Sequence, residues 1–175
     1  MMWLPMFLTK GLRYSLIDTG WISSAFHLGG VLGSPVVGYL ADKSSQKMLS
    51  LAKIMCLPVL ALLGITIFGN QVNSFITAFE FFLIGFGNCG PDAIIAGAIT
   101  MEYGGDQGTQ ITSLVNGLGS LGGLIEGPII ANLVYGDNWN PVILMLLVCS
   151  ILPVVLFIQM KPNNSTTIEA KDDLV

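Results

Sequence analysis

The sequence predicts an all-α membrane protein, and three observations carry that fold class. Of 175 residues, 53% are hydrophobic and only 10% charged, with a mean hydropathy of +0.74; soluble domains carry about 25% charged residues. The apolar residues come in long runs whose short polar intervals leave no room for a water-soluble domain. Within several runs small residues recur at every fourth position, which places them on one face of a helix. The 7 Lys and Arg against 11 Asp and Glu give a formal charge of -4, with no basic stripe to neutralise phosphates, so no nucleic-acid partner is expected. Cys56, Cys89 and Cys149 each lie inside an apolar run with no CxxC and no neighbouring His, and are expected as packing residues.

Crossing a hydrocarbon core of roughly 30 Å takes about 20 apolar residues at 1.5 Å per residue. Met1 to Leu8 is too short, and it has neither a basic lead nor a small-residue cleavage site. It is expected to be the tail of a membrane helix that begins outside this sequence. Five spans follow, at about 16–40, 49–68, 75–100, 111–134 and 139–160. The apolar part of the first, Trp21 to Leu40, contains no Asp, Glu, Lys or Arg and one histidine, His27; Leu49 to Phe68 carries Lys53 near one end. Phe75 to Thr100 contains Glu80, Asp92 and the break-prone pair Gly90-Pro91, Ile111 to Val134 contains Glu126 and many glycines, and Pro141 to Met160 has no charge. From Lys161 to Val175 a polar tail is expected.

Counting Lys and Arg in alternate connections orients the chain. Lys43, Lys47, Lys53, Lys161 and Lys171 share one side and Lys10 and Arg13 the other, which puts Ala41 to Met48, Met101 to Gln110 and the tail in the cytosol. Of the 21 glycines, the strip Gly29 and Gly33 in the first span and the strip Gly119, Gly123 and Gly127 in the fourth are expected to let a neighbouring backbone approach closely. The second and fifth spans, rich in Leu, Ile, Val and Met, are expected to face lipid.

Gly38-Tyr-Leu-Ala-Asp42-Lys43-Ser-Ser-Gln-Lys47 follows directly on a span. It resembles the G-x-x-x-D-[RK]-x-x-x-[RK] loop of the major facilitator superfamily, with Ser45 in place of the central glycine. Asp42 at the membrane edge suits the positive N-terminal end of a neighbouring helix, and Lys43 and Lys47 suit the cytosolic surface; an ordinary polar turn is the alternative. Further along, Asn88-Cys-Gly90-Pro91-Asp92, Ala98-Ile-Thr-Met-Glu102-Tyr-Gly104 and Asn116-Gly117-Leu-Gly119-Ser120-Leu-Gly122-Gly123, with Gly127-Pro128, look like the tenth and eleventh helices of the sugar-phosphate exchangers. These are relatives of the glycerol-3-phosphate/phosphate antiporter in that superfamily. The resemblance begins near Trp3-Leu4-Pro5, similar to the end of the seventh helix, and covers nearly the whole chain.

It implies the C-terminal six-helix half of a major facilitator fold, with the first of the six helices truncated and spans eight to twelve complete. It further implies a lipid bilayer and a missing N-terminal transporter half as partners, and a small-molecule substrate, an organophosphate exchanged for phosphate. No cofactor or metal is implied, and the membrane is expected to be the endoplasmic reticulum or another endomembrane rather than the plasma membrane. Where the family has an aromatic residue after Gly-Pro, an acid, and an apolar residue, this chain has Asp92, Asn116 and Glu126. The family's phosphate-binding arginines belong to its first and seventh helices, outside this sequence.

An acid or Lys at the bilayer centre costs about 2.5 to 3.5 kcal/mol on insertion scales, so each one within a span is a functional candidate. Glu126 is read either as a coupling or gating group facing a cavity or as a hydrogen-bonded buried acid. Asp92 is read as a gate or substrate contact, or as a cap on a broken helix. His27 is either a proton shuttle or a residue bonded within the bundle, and Glu80 is expected to reach the interface. Asn88, Asn116 and Ser120 are either pathway-lining hydrogen-bonders or packing contacts. No nucleophile, base and orienting acid occur together, and no P-loop pattern is present, so no enzyme is expected. Two rivals to a phosphate exchanger remain: a proton- or cation-coupled carrier of another solute, and a non-transporting subunit or truncated product.

Overall fold

A computed structural model describes residues 3–44, 46–69, 72–134 and 138–160. The expected polar tail, with Lys161 and Lys171, lies outside the described residues, as do Met1, Met2 and Ser45. All regular elements among the described residues are helices: α1 (Leu4–Met6), a π-helical turn (Phe7–Gly11), α2 (Leu16–Lys43), α3 (Lys47–Phe68), α4 (Ser74–Ile94), a second π-helical turn (Ile95–Ile99), α5 (Thr100–Gly104), a 3-10 turn (Gly105–Gln107), α6 (Gly108–Leu133) and α7 (Asn140–Gln159).

Local chemistry sets the helix starts and stops. Ser15 caps α2: its Oγ accepts from the Asp18 backbone N–H at 3.1 Å and donates to Asp18 Oδ2 at 2.7 Å, a reciprocal cap that satisfies an orphan donor. Asn73 caps α4 one way only, its Oδ1 accepting from the Phe75 N–H. Gly69 ends α3 with φ of +45°, a backbone conformation that a side chain would strain. Helices α2, α3, α4, α6 and α7 each hold one interior proline, at Pro35, Pro58, Pro91, Pro128 and Pro153. The break expected at Gly90-Pro91 is displaced: α4 runs through the proline, and the helix widens into the π-helical turn one turn later. The pair Gly127-Pro128 likewise sits within a continuous α6, where the Asn132 amide donates to the Pro128 carbonyl at 2.8 Å.

Three helical runs are long and apolar enough to cross a membrane: Lys47–Phe68, Ser74–Leu133 and Asn140–Gln159. The expected spans 75–100 and 111–134 both fall in the 60-residue run. It is not straight, because Gly105 takes φ of +50° and the chain doubles back, so that the Thr100 and Thr112 hydroxyls meet at 2.6 Å. The expected Met101–Gln110 connection is therefore helical over most of its length. Helix α2 is not among the three, since its glycines, serines and His27 dilute its apolar content, although its 28 residues reach about 42 Å.

The core is built on α2 against α4, with α3 against α4 and α7 against α3. Glycines permit the first contact. A Cβ on Gly33 would stand 2.7 Å from the Phe86 carbonyl oxygen, and one on Gly29 would strike the Phe82 carbonyl. From the other side Gly85 lies against the Phe26 carbonyl, and a Cβ on Gly90 would stand 2.6 Å from Val37 Cγ2. The N-terminal segment plugs into this bundle: Leu4, Phe7 and Leu8 are buried with Phe81, Ile84, Trp139 and Val142 in one apolar cluster. A second cluster of Val37, Ala41, Leu51 and Ile99 closes the cytosolic end of the expected orientation.

Helix α6 stands apart. Its backbone comes close only to α5, the turns beside it and, slightly, α7; Gly108 and Ile130 alone on it are buried, Ile130 in the apolar cluster of the N-terminal segment. The packing expected of Gly119, Gly123 and Gly127 has no partner here, since a Cβ at any of them would meet nothing within 4 Å among the described residues.

Candidate functional site

Polar groups converge where the N-terminal segment meets α4, α6 and α7. The Trp3 indole N–H donates to Glu126 Oε1, joining residues 123 positions apart. Trp3 also lines a small cavity with Asn88 of α4 and Ser150 of α7, walled by Phe7, Phe81 and Ile143. Its ring meets Phe7 edge-on at 6.2 Å, and Phe7 in turn packs on Trp139 at 5.5 Å, so an aromatic stack holds the indole in place. Glu126 is half-buried beside Gly127, while its neighbours along α6 are exposed. Of the candidates read from sequence, the structure thus bonds Glu126 to Trp3 and places Asn88 on the cavity that Trp3 lines.

The others lie elsewhere. Asp92 is one turn beyond Asn88 on α4 and exposed, and it precedes the π-helical turn. His27 is exposed on α2 with its ring edge-on to Phe26 at 5.4 Å. Asn116 and Ser120 are both exposed on α6, and the Ser120 hydroxyl donates to the Asn116 carbonyl at 2.9 Å. Glu80 is half-buried against α3, with Oε1 2.5 Å from where a Gly64 Cβ would be.

The charged loop forms a separate cluster. Gly38 sits close to α4, where an added Cβ would be 3.3 Å from Ile94 Cδ1. Asp42 and Lys43 are exposed, and the Lys43 ammonium lies 5.9 Å from the Tyr39 ring centroid. Lys47 donates to Glu102 Oε2 at 2.7 Å, tying the start of α3 to α5 through partly exposed groups.

Sequence reasoning missed Trp3, Ser150 and Glu102. Trp3 lay in a stub too short to be read as a span, and a lone serine in an apolar run carries no signal. Glu102 was legible in principle: it belongs to an acidic connection on the same side as the lysine-bearing one.

The model of the Major Facilitator Superfamily matches residues 1–174. The chain is 27% identical to "Putative glycerol-3-phosphate transporter 5" of Arabidopsis thaliana, over 96% of this chain and 36% of that protein. It is 26% identical to "Glucose-6-phosphate exchanger SLC37A2" of Mus musculus, over 88% of this chain and 32% of that protein. The chain therefore spans about a third of the length of the curated relatives it matches. No solved structure matches. The relatives are transporters and not enzymes, which agrees with a sequence that assembles no catalytic constellation. A family match along almost the entire chain, on a bundle of apolar helices joined by short polar turns, makes this chain an integral membrane protein belonging to the major facilitator superfamily.

Proposed function

We propose that the chain forms the C-terminal half of a secondary carrier that exchanges a sugar phosphate or another organophosphate for inorganic phosphate by alternating access. The observation that carries this reading is the convergence of relatives from plant and mouse, over most of this chain, on names that specify phosphorylated solutes. In such a carrier two halves rock about a site near the membrane midplane, without ATP. One face of helix α6 suits a place on that pathway, because there Asn116, Gly119, Ser120 and Gly123 are exposed together, while Leu114, Leu118, Leu121 and Ile125 are exposed on the opposite face. Asp92, His27, Asn88 and Glu126 are the substrate or coupling groups of this reading. Gly38, Asp42, Lys43 and Lys47 form the gating loop against an N-terminal half. An endoplasmic-reticulum or other endomembrane location accompanies it.

A second reading, a proton-coupled carrier of another solute, is favoured by one observation: a half-buried carboxylate, Glu126, held by an indole N–H. Uptake of labelled glucose 6-phosphate or glycerol 3-phosphate by the whole carrier in liposomes separates the two. Exchange predicts uptake that requires phosphate preloading and ignores a pH gradient. Uptake driven by the pH gradient into phosphate-free vesicles refutes it in favour of the second reading.

A further inference from the structure

The Trp3–Glu126 contact does more than fill space. Apart from the Thr100–Thr112 pair at its start, it is the only side-chain hydrogen bond linking α6 to another element among the described residues. An indole N–H only donates and an ionised carboxylate only accepts, so the pair is matched in one protonation state of Glu126 and loses its charge assistance in the other. We propose that Trp3 is a positioning residue for Glu126, holding the carboxylate beside the cavity lined by Asn88 and Ser150, and that proton uptake by Glu126 loosens the middle of α6. Its use in transport rests on the carrier reading above; the local device does not.

The surroundings leave Glu126 free to respond. The indole packs edge-on against Phe7 at 6.2 Å, whereas the residues flanking Glu126 on α6 are exposed in this chain. The cavity beside Trp3 measures about 30 Å³, enough for about one water molecule between Asn88 and Ser150. Other ionisable groups on the elements packed against α6 are Glu102, Tyr103 and Asp106 near its start, Cys149 on α7, and Lys10 in the N-terminal segment. Asp106 precedes Glu126 by 20 residues, roughly 30 Å along the helix. Lys10 is exposed, and no cation forms an ion pair with Glu126 among the described residues.

The test labels the whole protein with 5-fluorotryptophan in lipid nanodiscs and follows the Trp3 fluorine resonance, identified by its loss in Trp3→Phe. The resonance is expected to titrate with pH in the unaltered protein and in Glu126→Asp, and to stay flat in Glu126→Gln. Titration that survives in Glu126→Gln, or a Trp3 signal with no pH response, overturns the proposal. If Trp3→Phe fails to insert, the two Glu126 variants still decide, because only one of the three indoles should change between them. In transport assays Trp3→Phe is expected to lower turnover about tenfold and flatten its pH profile with KM nearly unchanged. A wild-type turnover and pH profile refute the positioning role even where the resonance behaves as expected. Absence of phosphate exchange alongside the expected titration refutes the exchanger reading and leaves the device standing.

Discussion

Replacing Gly33 with Ala should separate α2 from α4 and destabilise the bundle. The added Cβ would stand 2.7 Å from the Phe86 carbonyl oxygen and 3.0 Å from Phe86 Cα, against about 3.4 Å for an ordinary contact. The obstruction is helix backbone and cannot rotate away, so the helices must part by about 0.7 Å along the seam. A radial gap of about 0.5–1 Å forfeits a quarter to a half of each dispersion contact, and in lipid those contacts, not water exclusion, hold helices together. Overpacking of this kind costs about 1–3 kcal/mol. Gly123→Ala is the internal control: its Cβ meets nothing within 4 Å, and Ala for Gly in a helix interior is worth about 0.5–1 kcal/mol in the opposite direction. The propensity gain is common to both variants, since Gly33 is also inside a helix, so they should differ by the overpacking cost of about 1–3 kcal/mol in steric-trap unfolding of the chain in bicelles. Equal stabilities would refute the argument that Gly33 exists for the close approach.

Lys47→Ala and Glu102→Ala, with their double variant, should show a coupling of at most about 1 kcal/mol that fades in high salt, because both partners are partly exposed; a salt-insensitive coupling several times larger would contradict this. A cysteine at Asn73 should react with an impermeant thiol reagent applied from the non-cytosolic side and one at Ser44 should not, with the reverse pattern inverting the topology. In the whole carrier, Glu126→Gln and Asp92→Asn should alter exchange or its pH dependence without loss of membrane insertion, and Glu80→Gln should act more mildly; flux indistinguishable from the unaltered protein in the first two would reduce them to structural groups.

How much was legible in the sequence depended on whether the controlling forces are local. Hydropathy and the fourfold spacing of small residues located the apolar helices, because the bilayer dictates length and the helix dictates period. The same spacing at Gly29 and Gly33 and at Gly119 and Gly123 could not say which strip has a neighbour, since that depends on the arrangement of elements far apart in the chain. The structure distinguishes them, with backbone against the first strip and open space beside the second. Proline misled in a related way. At Gly90-Pro91 the lost N–H donor suggested a break, but packing against Val37 and Gly33 carries α4 through, and the disturbance surfaces at Ile95–Ile99. Glu126 was conspicuous as an acid in an apolar run, whereas its partner Trp3, 123 residues away, was invisible to any local pattern.

Whether the exposed face of α6 borders the solute pathway is the point on which the carrier reading turns. Cysteines at Asn116 and Ser120 in the whole carrier, challenged with a small impermeant methanethiosulfonate, measure it directly, with Leu144 and Val148 of α7 as lipid-facing comparisons; all four positions are exposed in this chain. The account predicts rapid labelling at the α6 positions, slowed by saturating glycerol 3-phosphate or glucose 6-phosphate, and little reaction on α7. Labelling confined to α7, or equal labelling of both helices with no protection by organophosphate, would contradict it.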